Sequence, residues 1–286
     1  MKKVLLLGRI GQVGFELERL LKGRTELIAP EQDEIDFTKP QIVVGRVREL
    51  KPDVIINASA YTAVDNAEKD EALAQALNAT APGLIAQEAQ KLGALLVHYS
   101  TDYVYDGSKR EPYVETDPPK PMSAYGRTKL AGDEAIRASG CRHLILRTAW
   151  VYASRGKNFV LTMLRLANER PALRVVADQV GSPTLARSLA QATVQAIEAG
   201  GEGLFHATNA GQVSWHGFAE RIIRRGAELG LCKAVPVEPI TSADYPLPTP
   251  RPAYSVLSNE QLNRLGVRLP EWEAALDACL AELTKK

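Results

Sequence analysis

The chain has few cysteines, almost no net charge and no long apolar run, and each absence removes a class of protein. Among its 286 residues the three cysteines, Cys141, Cys232 and Cys279, are widely spaced. This pattern favours reduced thiols in the cytoplasm over a disulfide framework or a zinc site. A net charge of +1 predicts neither nucleic acid nor an acidic membrane as a partner. No stretch is apolar for long enough to span a bilayer or to act as a secretory signal.

What the chain does contain is an alternation of short apolar runs and amphipathic stretches, without internal repeats. The amphipathic segment Ala72–Gln90 is one example, and it lies between two such runs. Strands alternating with helices predict an α/β fold with a doubly wound parallel sheet. The runs typical of buried parallel strands are Val4–Leu7, Val54–Asn57, Ala94–Tyr99 and Leu144–Arg147.

Three glycines follow the first apolar run at a spacing of three residues: Gly8, Gly11 and Gly14. Helical spacing of apolar residues comes next, so the segment predicts a strand, a tight turn and a helix. Such a turn lets the backbone approach a pyrophosphate, and the helix N-terminus supplies amide donors. The alternative is an ordinary strand-to-helix turn without a ligand.

A cluster of hydroxyls and a carboxylate, Ser100-Thr101-Asp102, follows the third apolar run. In open α/β sheets, ligands bind outside the carboxyl ends of the strands. Thr101 is therefore a candidate to hydrogen-bond a substrate oxygen. The alternative is a turn or a helix N-cap, which these residue types also favour.

The most informative segment is Ser123–Lys129, which places Tyr125 four residues before Lys129. On a helix these positions share a face. A cation about 4 Å away would stabilise the phenolate by roughly 4 kcal/mol at an effective dielectric of about 20. This would lower the pKa of the phenol by about three units. The pair therefore suits general acid–base chemistry on a hydroxyl or carbonyl. A surface tyrosine beside a solvated lysine is the alternative for the motif taken alone.

Two proline-rich stretches complete the organisation. Glu111–Pro121 is polar and predicts a loop leading to Tyr125. Val235–Pro252 predicts a non-helical stretch able to fold over a site. Glu31 follows the apolar run Leu27–Ala29 at the distance where an acidic residue meets an adenosine ribose.

Together these motifs resemble the extended short-chain dehydrogenase/reductase family, and within it the dTDP-4-dehydrorhamnose reductases. The resemblance covers essentially the whole chain. The stretches that carry it are Gly11–Gly14 with Glu16, Asn57–Asp65, Ser100–Tyr105, Tyr125–Gly132, Leu146–Tyr152, Asp178–Thr184 and Arg251-Pro252.

The resemblance implies a Rossmann-type dinucleotide-binding domain over residues 1–150. Residues 151–286 would form mainly a smaller substrate lobe, with some segments returning to the first domain. It also implies reduction of the C4 keto group of dTDP-4-dehydro-L-rhamnose to dTDP-L-rhamnose by hydride transfer. NADPH would be the favoured cofactor, with NADH also accepted, because Glu31 suits a free ribose hydroxyl and Arg9 a 2′-phosphate.

Site residues follow from the same resemblance. Thr101, Tyr125 and Lys129 would be catalytic, and Thr101, Asp102 and Trp150 would contact the sugar. Arg251 would reach the diphosphate or else lie on the surface, and a core aromatic is the alternative for Trp150. The residues expected at the cofactor are Gly8, Gly11, Gln12, Val13, Gly14, Glu31, Asp36, Phe37, Ala60, Tyr61, Thr62, Tyr125 and Lys129.

Other functions on the same fold stay open, namely another nucleotide-sugar reductase or epimerase and a non-catalytic NADP-binding regulatory subunit. Tyr103 stands where dehydratases of the family carry a glutamate after Thr-Asp, which argues against a dehydratase. In some relatives a glutamate after the Gly-x-Pro-Thr motif helps bind a divalent metal at a dimer interface, together with the residue matching Glu16. Here that position is Arg187. We therefore expect no metal and leave the oligomeric state open, a homodimer included.

Overall fold

A computed structural model describes residues 3–31 and 35–285 of the chain. At its centre lies a sheet of six parallel strands in the order β10-β5-β4-β3-β1-β2. The strand order reverses beside β1, which in open α/β sheets marks the place where ligands bind. The strands are β1 (Lys3–Leu7), β2 (Glu26–Ile28), β3 (Val54–Asn57), β4 (Leu95–Thr101), β5 (His143–Thr148), β6 (Val151–Tyr152), β7 (Leu173–Val176), β8 (Val180–Gly181), β9 (Thr184–Leu185), β10 (Gly203–His206), β11 (Val213–Ser214) and β12 (Val237–Ile240).

Helices cover both faces of this sheet, so the expectation of a doubly wound α/β fold is confirmed. Helices α1 and α8 pack together on one face, while α2, α5 and α6 pack on the other. The helices are α1 (Gln12–Leu21), α2 (Pro40–Leu50), α3 (Val64–Ala67), α4 (Glu71–Gln75), α5 (Ala81–Leu92), α6 (Ala124–Ala138), α7 (Phe159–Glu169), α8 (Ala186–Glu198), α9 (Trp215–Glu228), α10 (Glu260–Arg264) and α11 (Trp272–Leu283).

The four predicted strands are all present as β1, β3, β4 and β5, and their side chains are almost entirely buried. Continuous apolar runs produce this pattern because helices cover both faces of a parallel sheet. At the carboxyl end of β4 the run gives way to Ser100 and Thr101, so polar groups lie at the edge where ligands bind.

The amphipathic segment at 72–90 is helical, but it is not one regular helix. A π turn (Ala76–Thr80) joins α4 to α5 just before Pro82, which lies in the first turn of α5. The turn buries Asn78, whose amide bonds both backbone groups of Tyr61. The irregularity therefore positions the loop after β3, as π turns at functional sites often do.

A second apolar core lies in the C-terminal half of the chain, between α7, α9 and α11. Tyr152, Phe218 and Trp272 are among its buried aromatic residues. Helix α8 and strand β10 instead return to the central sheet, where Leu189 and Phe205 join the first core. The division of the chain at residue 150 into a cofactor domain and a substrate lobe stays a prediction.

The stretch 235–252 is less irregular than its prolines predict. Strand β12 pairs in parallel with β7, and a short 3₁₀ turn (Ser242–Asp244) follows. Pro239 is tolerated because this is a two-stranded pair with open edges. Elsewhere, the helices in the described ranges are all too short or too polar to cross a membrane.

Candidate active site

The glycine turn between β1 and α1 has the geometry that a phosphate-binding loop requires. Gly8 has φ +84°, a conformation that glycine adopts without strain. A Cβ atom on Gly14 would lie 2.1 Å from the carbonyl oxygen of Gly8. The N-cap of α1, Gly11, places no side chain over the first-turn amides, so these donors face the cleft and suit a phosphate.

A cavity of about 560 Å³ opens beside this turn and is of the size that small-molecule sites usually have. Several residues expected at a cofactor line it together. The hydroxyl of Ser59 is buried against Gly8 with no hydrogen-bond partner among the described residues. The lining includes Gly8, Gly11, Glu31, Asp36, Phe37 and Ala60.

Arg9 and Glu31, the two residues expected to select the cofactor, form an ion pair with each other. Arg9 also donates to Glu18 on α1, with Nε 3.0 Å from Oε2. Asp36 is engaged in its own turn, since its carboxylate accepts from the backbone and the hydroxyl of Thr38. Hydrogen bonds from Thr38 lower the pKa of Asp36, so this side chain caps a turn at the cavity wall.

Helix α6 starts at the site because of two local devices. The hydroxyl of Ser123 accepts from the amide of Gly126 at 3.1 Å and caps the helix. A Cβ atom on Gly126 would lie 2.3 Å from the carbonyl oxygen of Tyr103. Only glycine therefore lets the first turn of α6 pack against the segment after β4, and this contact brings Tyr125 next to Thr101.

Tyr125 and Thr101 lie together at this junction. Burial raises the pKa of Tyr125 to about 12, against a hydrogen bond with Thr101 that lowers it. The Thr101 hydroxyl lies 3.1 Å from Oδ1 of Asp102 and accepts from the amide of Tyr103. Burial likewise raises the pKa of Asp102 to about 6, and its Oδ2 has no partner in the described structure. The pair thus offers a protonated phenol and an oriented hydroxyl.

Lys129 is buried one helical turn behind Tyr125. Its Nζ donates to the carbonyl oxygen of Tyr99 at 2.5 Å and lies 3.1 Å from Nε2 of His98. Burial lowers the pKa of Lys129 to about 8, and the negative charge of Asp133 opposes the shift. The lysine therefore holds its charge less firmly than a solvent-exposed lysine does.

Deeper in the molecule, Asp133 is paired with Arg147 on β5, and both are buried. Asp133 also accepts from Ser100 at 2.8 Å. The guanidinium of Arg147 continues to the hydroxyl of Tyr105 at 2.9 Å, and this hydroxyl lies 2.9 Å from His206. A buried charge needs such a set of partners to be tolerated, and the set fixes β4, β5 and α6 behind the site.

Trp150 lies at the end of β5 in a strained conformation, with φ +48° in a residue that is not glycine. Its ring stacks on Trp215 of α9, with centroids 3.5 Å apart and planes 8° apart. Gly181 lies under the ring, where a Cβ atom would be 2.5 Å from it. Trp150 is only partly buried and packs against the second core, so part of its side chain remains exposed.

Arg251 is not a surface arginine, because its side chain is only 13% exposed. It forms two hydrogen bonds of 2.9 Å to the carboxylate of Asp65. Its guanidinium also lies 5.8 Å from the ring centre of Tyr103, whose ring meets that of Tyr125 edge on. The stretch 235–252 therefore reaches Asp65 and Tyr103 through Arg251.

Arg187 bonds two carboxylates, with Nε 3.3 Å from Glu16 and Nη2 against Glu282. The guanidinium lies between them, so the side chains present do not fit a divalent cation there. Within 3–31 and 35–285, no group of three or more histidine, cysteine, aspartate and glutamate side chains could hold a metal ion.

Sequence reasoning gave no role to several residues that the fold brings to the site, among them His98, Asn57, Asn78 and Trp215. His98 shortly precedes the hydroxyl cluster in the chain, and a buried histidine within a strand was the available signal. Trp215 gave no local signal, because its contact with Trp150 depends on how α9 packs. Gln12 is the first residue of α1 and bonds Asn158 at 2.8 Å, while Val13 packs against the sheet core.

Comparisons with known proteins agree with this geometry. The family model described as the RmlD substrate binding domain matches residues 1–285. A dTDP-4-dehydrorhamnose reductase from Burkholderia thailandensis is 47% identical over 98% of this chain and 99% of its own. The crystal structure of a dTDP-4-dehydrorhamnose reductase from Clostridium acetobutylicum superposes with a TM-score of 0.93 at 40% identity, covering 99% of each chain. A Bacillus anthracis dTDP-4-dehydrorhamnose reductase in complex with NADP also has a TM-score of 0.93, at 35% identity over 99% of this chain and 100% of that one.

Proposed function

This chain belongs to the RmlD substrate binding domain family, and we propose that it is an NADPH-dependent dTDP-4-dehydrorhamnose reductase. It reduces the C4 keto group of dTDP-4-dehydro-L-rhamnose to the hydroxyl of dTDP-L-rhamnose. The observation that carries this function is the meeting of Tyr125 and Thr101 at the carboxyl end of β4, at the same edge of the parallel sheet as the uncapped glycine turn after β1.

The turn and its cavity fit a dinucleotide. The amides at the start of α1 and the buried, unpartnered hydroxyl of Ser59 are donors available to phosphate oxygens. Asp36, Phe37, Ala60 and Tyr61 would border its two halves, with Glu31 nearest the ribose. When bound there, the dihydronicotinamide supplies the hydride for C4 of the sugar.

Tyr125 is the proton donor for the oxygen of the reduced carbonyl. Its raised pKa keeps the phenol protonated at neutral pH, so a proton is always available. Losing that proton leaves a buried anion, which is costly unless a cation is near. Lys129 provides the cation from the next turn of α6 and also holds the nicotinamide ribose, which is why the two residues act as a pair.

Thr101 orients the carbonyl oxygen toward Tyr125. Since Asp102 and the amide of Tyr103 hold its hydroxyl, the group needs little reordering when substrate arrives. The free oxygen of Asp102 can accept from a sugar hydroxyl. Trp150 offers its exposed surface to the sugar ring or its methyl group. Arg251 would bind the diphosphate once it exchanges Asp65 for the ligand.

Tyr103, the residue after Asp102, also argues against a dehydratase, which would have to eliminate water. Tyr103 is partly buried, and its ring packs edge on against Tyr125. Burial raises the pKa of Tyr103 above its usual range, so it is a poor base. Among the described residues, the site thus offers Tyr125 as the acid for one reduction.

Two broader properties belong to the same proposal. We place the enzyme in the cytoplasm, which suits its three widely spaced cysteines, and we leave a homodimer as the assembly to test. Neither property enters the chemistry above.

The decisive experiment follows nicotinamide absorbance with the purified protein and a panel of nucleotide-linked 4-keto sugars. We expect rapid NADPH oxidation with dTDP-4-dehydro-L-rhamnose and much slower oxidation with its stereoisomers and with other nucleotides. Turnover that favours a different sugar would assign the chain to another ketoreductase. NADPH binding without turnover of any sugar would identify a regulatory subunit.

A further inference from the structure

Lys129 lies at the end of a chain of hydrogen bonds that the proposed reaction does not use. The backbone N–H of Ser59 donates to Oδ1 of Asn57 at 3.1 Å. Nδ2 of Asn57 lies 3.3 Å from Nδ1 of His98, and Nε2 of His98 lies 3.1 Å from Nζ of Lys129. Asn57, His98 and Lys129 are each at most 1% exposed, so water does not compete for these groups.

The direction of this line follows from the donors at its start. Because the N–H of Ser59 occupies the amide oxygen of Asn57, the amide NH₂ faces His98. Nδ1 of His98 must then accept, which places the imidazole proton on Nε2. Burial and the charge of Lys129 both lower the pKa of His98 well below its usual range, so the ring carries this single proton.

The consequence falls on Lys129, because Nε2–H of His98 now faces its nitrogen. A neutral amine accepts that proton donor, whereas an ammonium group has no lone pair to offer. Protonating Lys129 therefore requires His98 to move its proton to Nδ1, where it meets the NH₂ of Asn57. The carbonyl of Tyr99 accepts from Lys129 in either state, but it binds the ammonium more strongly than the amine, so this contact favours the charged form.

The other charges that face this lysine come from two elements. On its own helix, Asp133 favours the ammonium form and Tyr125 is neutral. On β5, Arg147 neutralises Asp133 through the buried ion pair. Because Asp133 already pairs with Arg147, it stabilises the Lys129 ammonium less than a free carboxylate would. The tautomer of His98 on β4 therefore has a large influence on whether Lys129 is charged.

We propose that His98, held in its Nε2–H tautomer by Asn57, is a positioning residue that couples the charge of Lys129 to an imidazole tautomer. The coupling makes the Lys129 proton easy to release. In the proposed reaction, Tyr125 gives its O–H proton to the new alkoxide, and the Lys129 ammonium returns a proton to the tyrosinate oxygen. The resulting amine accepts from His98, and it regains a proton from solvent by way of Tyr125 once the product has left the cleft. This last role rests on the proposed function, but the coupling itself does not.

The test uses cofactor-free protein labelled with ¹⁵N in the histidine rings and the lysine Nζ atoms. Nitrogen shifts distinguish the two tautomers, and spectra of His98→Phe and Lys129→Met assign the signals. We expect His98 to stay singly protonated throughout, to be the Nε2–H tautomer at high pH, and to change tautomer at the midpoint of Lys129. In Asn57→Leu the Nδ1–H form meets no opposing donor, so the Lys129 midpoint should rise by about one pH unit, the value of one hydrogen bond.

A matched control is Asn209→Leu, which also removes a buried amide that accepts from a backbone N–H but lies away from His98. Its Lys129 midpoint should equal that of the wild type. An Nδ1–H tautomer at every pH in the wild type, or equal midpoints in Asn57→Leu and the wild type, would overturn the proposal.

A second variant covers the case in which Asn57→Leu does not fold. Asn57→Asp keeps the bond from Ser59 but offers Nδ1–H an acceptor, so the Lys129 midpoint should rise further. Part of that rise is Coulombic and should remain in a His98→Phe background, whereas the tautomer-dependent part should disappear. An equal rise in both backgrounds would contradict the coupling. Because no cofactor or sugar is present, a wrong substrate assignment leaves these outcomes unchanged.

Discussion

The two sides of the cleft are assembled from the chain in different ways. On one side, Gly8 and Gly14 belong to a single turn, and Tyr125 and Lys129 lie on consecutive turns of one helix. On the other, Trp150 meets Trp215 and Asp65 meets Arg251, which lies 186 residues away. The first side is held by local geometry, whereas the second exists only when the two apolar cores are packed together. Substitutions on the second side should therefore weaken binding of the sugar nucleotide more than they slow the chemical step.

The sharpest test of the local side is Tyr125→Phe, for which we expect turnover to fall by about 10²–10⁴-fold, the usual value of general acid catalysis. Only the hydroxyl is removed, so cofactor affinity should be nearly unchanged. Steady-state kinetics and NADPH titration of the same preparation measure both. Turnover near that of the wild type would exclude Tyr125 as the acid, and a large loss of NADPH affinity would assign it a structural role.

The local side should also control the dependence on pH. Lys129 has a lowered pKa of about 8 and Asp102 a raised pKa of about 6. Above pH 8 the lysine loses its charge, and below pH 6 the aspartate becomes protonated and loses an acceptor. We therefore expect a bell-shaped profile of kcat/KM, falling up to tenfold per unit on each limb. A flat profile from pH 5 to 10 would show that neither group titrates in the reaction.

For the distant side, Trp215→Leu removes the partner that fixes Trp150 in its strained conformation. We expect KM for the sugar nucleotide to rise roughly tenfold, since aromatic pairs contribute about 0.5–1.5 kcal/mol beyond the area they bury. The NADPH affinity should stay as in the wild type. Trp272→Phe is the control, because Trp272 belongs to the same core but contacts Phe218 edge on. An equal rise of KM in both variants would mean that only general loosening of the core matters.

For the preference between NADPH and NADH we expect only a small effect of substitution. Arg9 is already paired with Glu18 and Glu31, and partly exposed ion pairs are worth about 0–1 kcal/mol. The enzyme should use both NADPH and NADH, with NADPH favoured a few-fold, and Arg9→Ala should reduce that preference. Values of kcat/KM for both cofactors decide this. A preference for NADH that Arg9→Ala leaves unchanged would show that Glu31 dominates.

The smallest effect is expected for metal removal. Arg187 places its cation between Glu16 and Glu282, so neither a chelator nor added Mg²⁺ should change activity or assembly. Sedimentation and turnover with and without chelator measure this. An assembly that dissociates in chelator would overturn the interpretation of Arg187.

The difference between local and distant contacts explains which features could be predicted from the sequence alone. The strands, the glycine turn and the start of α6 follow from apolar runs, φ requirements and capping residues within a few positions of one another. The π turn that buries Asn78, the pairing of β12 with β7 and the stack of Trp215 on Trp150 depend on packing between distant segments. Arg9 and Glu31 were each assigned a ligand from their position, yet their contact with each other is visible only in the folded chain.

The central claim, hydride transfer to C4 of the sugar, is tested most directly with isotope. The enzyme is given dTDP-4-dehydro-L-rhamnose and NADPH that carries deuterium on the transferable position of the nicotinamide. We predict dTDP-L-rhamnose with deuterium at C4 alone, as seen by proton NMR and mass spectrometry, with one labelled sugar formed per cofactor oxidised. Cofactor oxidation without label at C4, or label at another carbon, would contradict the account.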